Sequence, residues 1–130
     1  MTSQYIQLGN KGWNILVYYN VGPSDFAEIE DSLIQLDCPK NDLIDAFRVL
    51  RHYNTGFTFT NTEYMMSVVC IGKSSNSSQF VSTVVHEAKH VQSHICSYYN
   101  IKEGSEEAAY LIGYIVKRMY MMVMKLLKYV

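Results

Sequence analysis

The chain has 130 residues, of which 48% are hydrophobic and 18% are charged, and its formal net charge is -1. This composition is typical of one compact domain with a substantial core, so a single domain over residues 1–130 is predicted. The absence of a basic excess argues against a nucleic-acid-binding function. The first residues lack the charged start and apolar run of a signal peptide, so none is expected.

The three cysteines, Cys38, Cys70 and Cys96, lie in apolar segments and form no C-x-x-C pair. An odd number of isolated cysteines argues against a disulfide framework and favours a reducing compartment. We therefore expect a cytoplasmic protein.

The first half of the chain predicts a strand, two helices and two more strands. Runs rich in β-branched and aromatic side chains predict the strands, and apolar stripes at helical spacing predict the helices. The predicted strands cover residues 13–19, 57–60 and 64–71. The predicted helices run from Pro23 or Ser24 to about Leu36 and from Pro39 or Asn41 to about Tyr53.

Two longer helices are predicted in the second half. The first covers residues 76–98, with Asn76 as its N-cap and Gln79 in the position of a capping box. Ser105 is the expected N-cap of the second. The order strand, helix, helix, strand, strand, helix, helix predicts an α+β fold, in which a small, mainly antiparallel sheet packs against about four helices.

The last predicted helix, residues 108–130, is apolar almost all round and rich in methionine. Lys117 and Arg118 interrupt it, and charges at that position would be costly at the centre of a bilayer. Its uninterrupted apolar parts are also too short to span one. We predict a helix that is buried within the monomer or forms a homodimer, and no membrane association.

The most informative stretch runs from Val84 to His90 and contains the pattern H-E-x-x-H. On a helix, His86 and His90 lie one turn apart on the same face, where two imidazoles can hold two corners of a tetrahedral zinc ion. Glu87 follows the first histidine and could act as general base toward a water in the open coordination position. The pattern predicts a zinc site; the alternative is an amphipathic helix with solvated histidines.

A catalytic zinc usually has three protein ligands, and the residues alone leave the third one open. His94 continues the histidine row, but three imidazoles spread over about 12 Å of straight helix cannot reach one ion. Cys96 is more simply a small buried thiol. Glu106 and Glu107 open the next helix, where they either stabilise its N-terminus or bind the metal.

The H-E-x-x-H motif followed by E-E-A-A-Y-L-I-G-Y at residues 106–114 resembles small zinc metallopeptidase-like proteins of the gluzincin type, found in phages and bacterial mobile elements. The resemblance covers roughly residues 57–118. It implies a minimal zincin-like fold, a zinc cofactor and the ligands His86, His90 and Glu106, with Glu107 as the alternative to Glu106.

One position departs from the larger gluzincin peptidases. They carry a carboxylate four residues after the ligand glutamate, which orients a zinc histidine, and here that position is Tyr110. Tyr110 or a backbone carbonyl could accept the imidazole N–H instead. Tyr110 is also a candidate for stabilising an oxyanion, together with Tyr114, His94 and His52.

The predicted function is zinc-dependent hydrolysis of a peptide or protein substrate. The strand at residues 64–71 is read either as an edge strand that pairs with an extended peptide or as an ordinary core strand. Two other functions fit the residues: a catalytically inactive zinc-binding module that is structural or binds a partner, and an interaction domain without metal.

Overall fold

The computed structural model describes residues 1–130. Four strands form one sheet in the order β1-β2-β4-β3, and every neighbouring pair is antiparallel except β2 and β4, which are parallel. The strands are β1 at Thr2–Leu8, β2 at Trp13–Val21, β3 at Gly56–Asn61 and β4 at Met66–Gly72.

Four helices accompany the sheet, so the predicted α+β class is confirmed. They are α1 at Phe26–Gln35, preceded by a 3-10 turn at Pro23–Asp25, α2 at Lys40–Val49, α3 at Ser77–Tyr99, and α4 at Glu106–Leu126, followed by a 3-10 turn at Leu127–Tyr129. The sequence did not predict β1. This strand lies at an edge of the sheet and buries only Ile6 and Leu8, so its apolar pattern is weak.

The helices lie on both faces of the sheet, because successive side chains of a strand point to opposite faces. Along β2, Ile15 and Val17 join a core cluster formed with α3 and α4. Tyr18, the residue after Val17, points to the opposite face and packs in a second cluster with α1 and the end of α2. The sheet is therefore the middle layer, and each pair of helices covers a different face.

The interpretation of the strand at residues 64–71 as an edge strand was wrong, and the alternative of a core strand is confirmed. β4 lies between β2 and β3, and all of its residues except Met66 are buried. A near-continuous apolar run is what a strand covered on both faces requires. The edge strand on this side of the sheet is β3, whose residues are all partly exposed.

Helices α3 and α4 form an antiparallel hairpin. The Gln92 side chain donates a hydrogen bond of 3.0 Å to the carbonyl oxygen of Ala108 near the loop, and Phe80 and Leu126 line a common cavity at the other end. None of the helices combines the length and the hydropathy needed to cross a bilayer.

Candidate metal centre

The capped first turn and the buried apolar face of helix α3 determine where its histidines lie. The Asn76 side chain caps the first turn by accepting a hydrogen bond of 2.9 Å from the Gln79 backbone N–H. Val84, Val91 and Ile95 are buried against the sheet. The face opposite these residues stays exposed.

His86 and His90 lie on that exposed face, one turn apart. Their Nε2 atoms are 3.2 Å apart, and the rings are nearly perpendicular, with centroids 4.8 Å apart. Together with Glu87 they form a group whose potential ligand atoms lie within 4.8 Å of one another, and this group could hold a metal ion.

The spacing of the two nitrogens fits a shared ion. A zinc ion about 2.0–2.1 Å from two imidazole nitrogens at a tetrahedral angle holds them about 3.3–3.4 Å apart. The observed 3.2 Å differs little from this, so the separation of the two nitrogens suits chelation of one ion. Without an ion, the same distance allows a hydrogen bond from one neutral imidazole to the other.

The carboxyl group of Glu87 is buried between α3 and β3. Its side chain is 4% exposed, Oε2 is 3.8 Å from His86 Nε2, and Oε1 accepts a hydrogen bond of 2.9 Å from the Thr58 hydroxyl. Burial raises the pKa of Glu87, although the Thr58 hydrogen bond and the two nearby histidines oppose the shift. Its environment therefore favours holding a proton more than an exposed glutamate would.

Gly56 makes room for this carboxyl group. A Cβ at position 56 would lie 2.6 Å from Glu87 Cγ and 2.7 Å from Oε2, well inside contact distance. The first residue of β3 must therefore lack a side chain if Glu87 is to keep its position beside the histidine pair.

His94 points toward the same strand and ends a chain of hydrogen bonds that begins in the core. The Trp13 indole N–H donates to Ser67 Oγ at 3.1 Å, Ser67 Oγ and Thr60 Oγ1 are 2.6 Å apart, and Thr60 Oγ1 lies 2.7 Å from His94 Nδ1. Trp13 and Ser67 are fully buried.

The chemistry of the first donor favours one direction for the whole chain of hydrogen bonds. An indole nitrogen can only donate, so Ser67 Oγ accepts from Trp13. In the arrangement that uses every hydroxyl proton, Ser67 donates to Thr60 and Thr60 donates to His94 Nδ1. In that arrangement His94 is the neutral tautomer with its proton on Nε2, which agrees with burial lowering its pKa.

Two open depressions follow the edge between α3 and β3. One, of about 280 Å³, is lined by polar groups that include Gln79, Ser82, His86 and Glu87. The other, of about 370 Å³, includes Thr60 and His94. His86 and Glu87 thus border one depression, and His94 borders the other. We refer to this accessible edge between α3 and β3, with both depressions, as the groove.

The structure does not bring Glu106 or Glu107 into this cluster. Both acids precede Ala108, which lies beside Gln92, so they lie toward the C-terminal end of α3 and beyond the level of His90. Glu106 is exposed, and Glu107 pairs with Lys11 at 3.1 Å. Since His90 is about 200° around the helix from Gln92, it also points away from α4.

The other sequence candidates lie elsewhere. Tyr110 is 76% exposed, and with Tyr114 it lines a cavity on the β1 side of α4. His52 is exposed after α2. Cys96 is a buried free thiol, so its interpretation as a small buried thiol is confirmed. Cys38 and Cys70 are also buried and free. Of the proposed oxyanion donors, only His94 borders the groove.

Four residues that support the site were not predicted: Gly56, Thr58, Thr60 and Ser67. The alternation of phenylalanine and threonine in β3 was a usable signal, because it places both threonines on one face of the strand. Which helix that face would meet depends on the strand order, and no local pattern reveals it.

Comparison with protein-family models, curated proteins and solved structures finds no significant match for this chain. The resemblance to gluzincin-type proteins therefore rests on the H-E-x-x-H stretch and the run at residues 106–114 alone. Of these, the structure assembles the first into a possible metal site.

Proposed function

We propose that the protein is a zinc-dependent hydrolase that acts on peptide bonds. The observation that carries this proposal is the buried Glu87 carboxyl group beside two imidazoles whose Nε2 atoms are 3.2 Å apart. A structural histidine pair does not need a desolvated acid next to it, whereas a hydrolytic site does.

His86 and His90 would hold the metal through their Nε2 atoms. When bound, zinc would polarise the substrate carbonyl and acidify a water molecule. Glu87 then accepts a proton from the attacking water and returns it to the leaving amine, a role that its raised pKa favours. Thr58 holds the carboxyl group in place through Oε1 and leaves Oε2 directed toward the histidines.

His94 is the group best placed to stabilise negative charge on the carbonyl oxygen. Its Nδ1 is engaged by Thr60, so its Nε2 carries the proton and has no partner within the chain. A donor whose tautomer is fixed before substrate binds needs no reorganisation during the reaction. The exposed edge of β3 lies next to these groups and could pair with an extended peptide through main-chain hydrogen bonds.

The decisive experiment compares Glu87→Gln with the wild-type protein. The variant keeps the shape of the side chain and should bind zinc, but cleavage of a peptide library, followed by mass spectrometry, should fall by about 10²- to 10⁴-fold. Glu63→Gln, at the exposed turn between β3 and β4, is the matched control and should cleave normally. Unchanged cleavage in Glu87→Gln would refute the mechanism.

One observation favours the second function, a zinc-binding module without catalysis. The cluster contains two histidines and Glu87 but neither of the acids of α4, so a third ligand separate from the general base is not assembled. Under this alternative, the wild-type protein binds zinc stoichiometrically and cleaves no peptide in the library. Cleavage that depends on both zinc and Glu87 would exclude it.

A further inference from the structure

The outer face of α4 carries large apolar side chains that remain exposed. Tyr110 is 76% exposed, Met121 is 75% exposed and Met124 is 45% exposed. With Gly113 and Lys117 they form a row that starts at Glu106 and ends at Lys128, in the 3-10 turn that follows α4, and all seven positions are exposed. We call this row the outer stripe. An exposed apolar row flanked by charges is typical of an interaction surface.

The spacing of the outer stripe is symmetric. Its steps are four, three and four residues on each side of Lys117, so the stripe has the same spacing when followed in either direction. This property is what an antiparallel pair of identical helices needs, because a two-fold axis makes each helix meet the reversed copy of itself.

We propose that α4 forms a homodimer in which the outer stripes of two copies pair antiparallel about an axis beside Lys117. In this register Glu106 faces Lys128 of the second copy, Tyr110 faces Met124, and Gly113 faces Met121. The stripe thus matches opposite charges at its ends and apolar groups between them. This inference does not depend on the proposed hydrolysis.

The properties of the facing positions support this pairing. Nothing lies within 4 Å of the place where a Gly113 side chain would be, so the long Met121 side chain of the second copy can occupy that space. Antiparallel helices also bring the positive N-terminal end of one dipole to the negative C-terminal end of the other. A partner of uniform charge, such as an anionic membrane, would not explain an acid at one end and a base at the other.

The position of Lys117 predicts a weak and reversible dimer. The two-fold axis brings two lysines of like charge together, and their repulsion opposes the apolar pairing on both sides. Replacing Lys117 by methionine should therefore strengthen dimerisation. If the outer stripe has no role in a dimer, the same substitution should cause nonspecific aggregation at most.

Sedimentation equilibrium over micromolar to millimolar concentrations tests the proposal. The wild-type protein should dimerise, and Glu106→Lys should weaken the dimer by about tenfold, because the axis repeats a modest exposed ion pair twice. Adding Lys128→Glu to Glu106→Lys should restore the dimer. Lys40→Glu, at the start of α2 on the other face of the sheet, should leave it unchanged.

Circular dichroism of each variant separates association from folding. Charge reversal at Glu106, in the first turn of α4, and at Lys128, just past its last turn, works against the helix dipole. The double variant should therefore be slightly less stable yet dimerise like the wild type. Three results would each overturn the proposal. The wild-type protein could stay monomeric, or the double variant could dimerise as weakly as Glu106→Lys alone. The third is a protein that sediments with anionic lipid vesicles and does not self-associate.

Discussion

The two long sides of α3 differ in how their polar groups are used. On the side facing α4, Gln92 is buried, and its amide donates to the Ala108 carbonyl. On the side facing β3, Glu87 and His94 are each held by one threonine hydroxyl and keep a second atom directed toward the groove. The first arrangement fixes the helix, and the second leaves polar atoms available for a ligand.

This difference separates polar groups whose partners all lie within the fold from polar groups that a ligand can still reach. A polar group whose partners all lie within the chain contributes to the fold alone. The histidine pair, by contrast, is exposed and has partners only within its own turn. The predictions below test this division, beginning with the change of largest expected effect.

Substituting His90 by alanine should abolish metal binding, because one imidazole cannot chelate. Removing a residue that only hydrogen-bonds to a metal ligand lowers metal affinity roughly 10- to 100-fold. Removing the ligand His90 itself should lower the zinc affinity, measured by isothermal titration calorimetry, by more than this. His52→Ala provides the control, since this exposed histidine lies outside the cluster. Equal loss of affinity in both variants would show that zinc binds histidines nonspecifically.

Substituting Gly56 by alanine should displace Glu87 without touching a metal ligand. The added methyl group would lie 2.7 Å from the carboxyl group, so the Glu87 side chain must move, and we expect its hydrogen bond with Thr58 to weaken. Peptide cleavage should fall by about 10- to 100-fold while zinc affinity is retained. Gly104→Ala, which adds a methyl group in open space, should cleave like the wild type.

Substituting Ser67 by alanine should reveal the chain of hydrogen bonds behind His94. The buried Trp13 N–H would lose its acceptor, which should lower the free energy of unfolding by about 1–3 kcal/mol in denaturant titrations. Nitrogen NMR should show His94 changing from one tautomer to a mixture. The exposed Ser97→Ala should change neither quantity, and a wild-type His94 protonated on Nδ1 would refute the assigned direction.

The smallest effect should be a pH dependence of the metal-free protein. Because burial raises the pKa of Glu87 above its unfolded value, ionisation of this group disfavours folding, and stability should increase as pH falls from neutral through the raised pKa. Glu87→Gln should therefore be more stable than the wild type at pH 7. The difference should vanish near the ordinary pKa of a glutamate, and a constant difference across this range would contradict the assignment.

The sequence predicted most helices and strands because their patterns are local. The Asn76 cap, the apolar face of α3 and the strand at residues 13–19 all follow from spacing within a few residues. The pairing of His86 with His90 could be predicted for the same reason, since one helical turn determines it.

The rest of the site depends on contacts between residues distant in sequence. Thr58 and Glu87 are 29 residues apart, and Trp13 and Ser67 are 54 residues apart. Glu106 was expected near the histidines because α3 and α4 form a hairpin. The helix rotation that turns Gln92 toward α4 turns His90 away from it, and the sequence alone does not show which side of α3 the hairpin would use.

The most direct test of the central claim is a crystal structure grown with zinc, with anomalous diffraction recorded at the zinc absorption edge. We expect one anomalous peak about 2.0–2.1 Å from Nε2 of both His86 and His90, with the Glu87 carboxyl group beside it. A map with no peak between these two nitrogens, in crystals where zinc is abundant, would contradict the proposal that this turn of α3 is a metal centre.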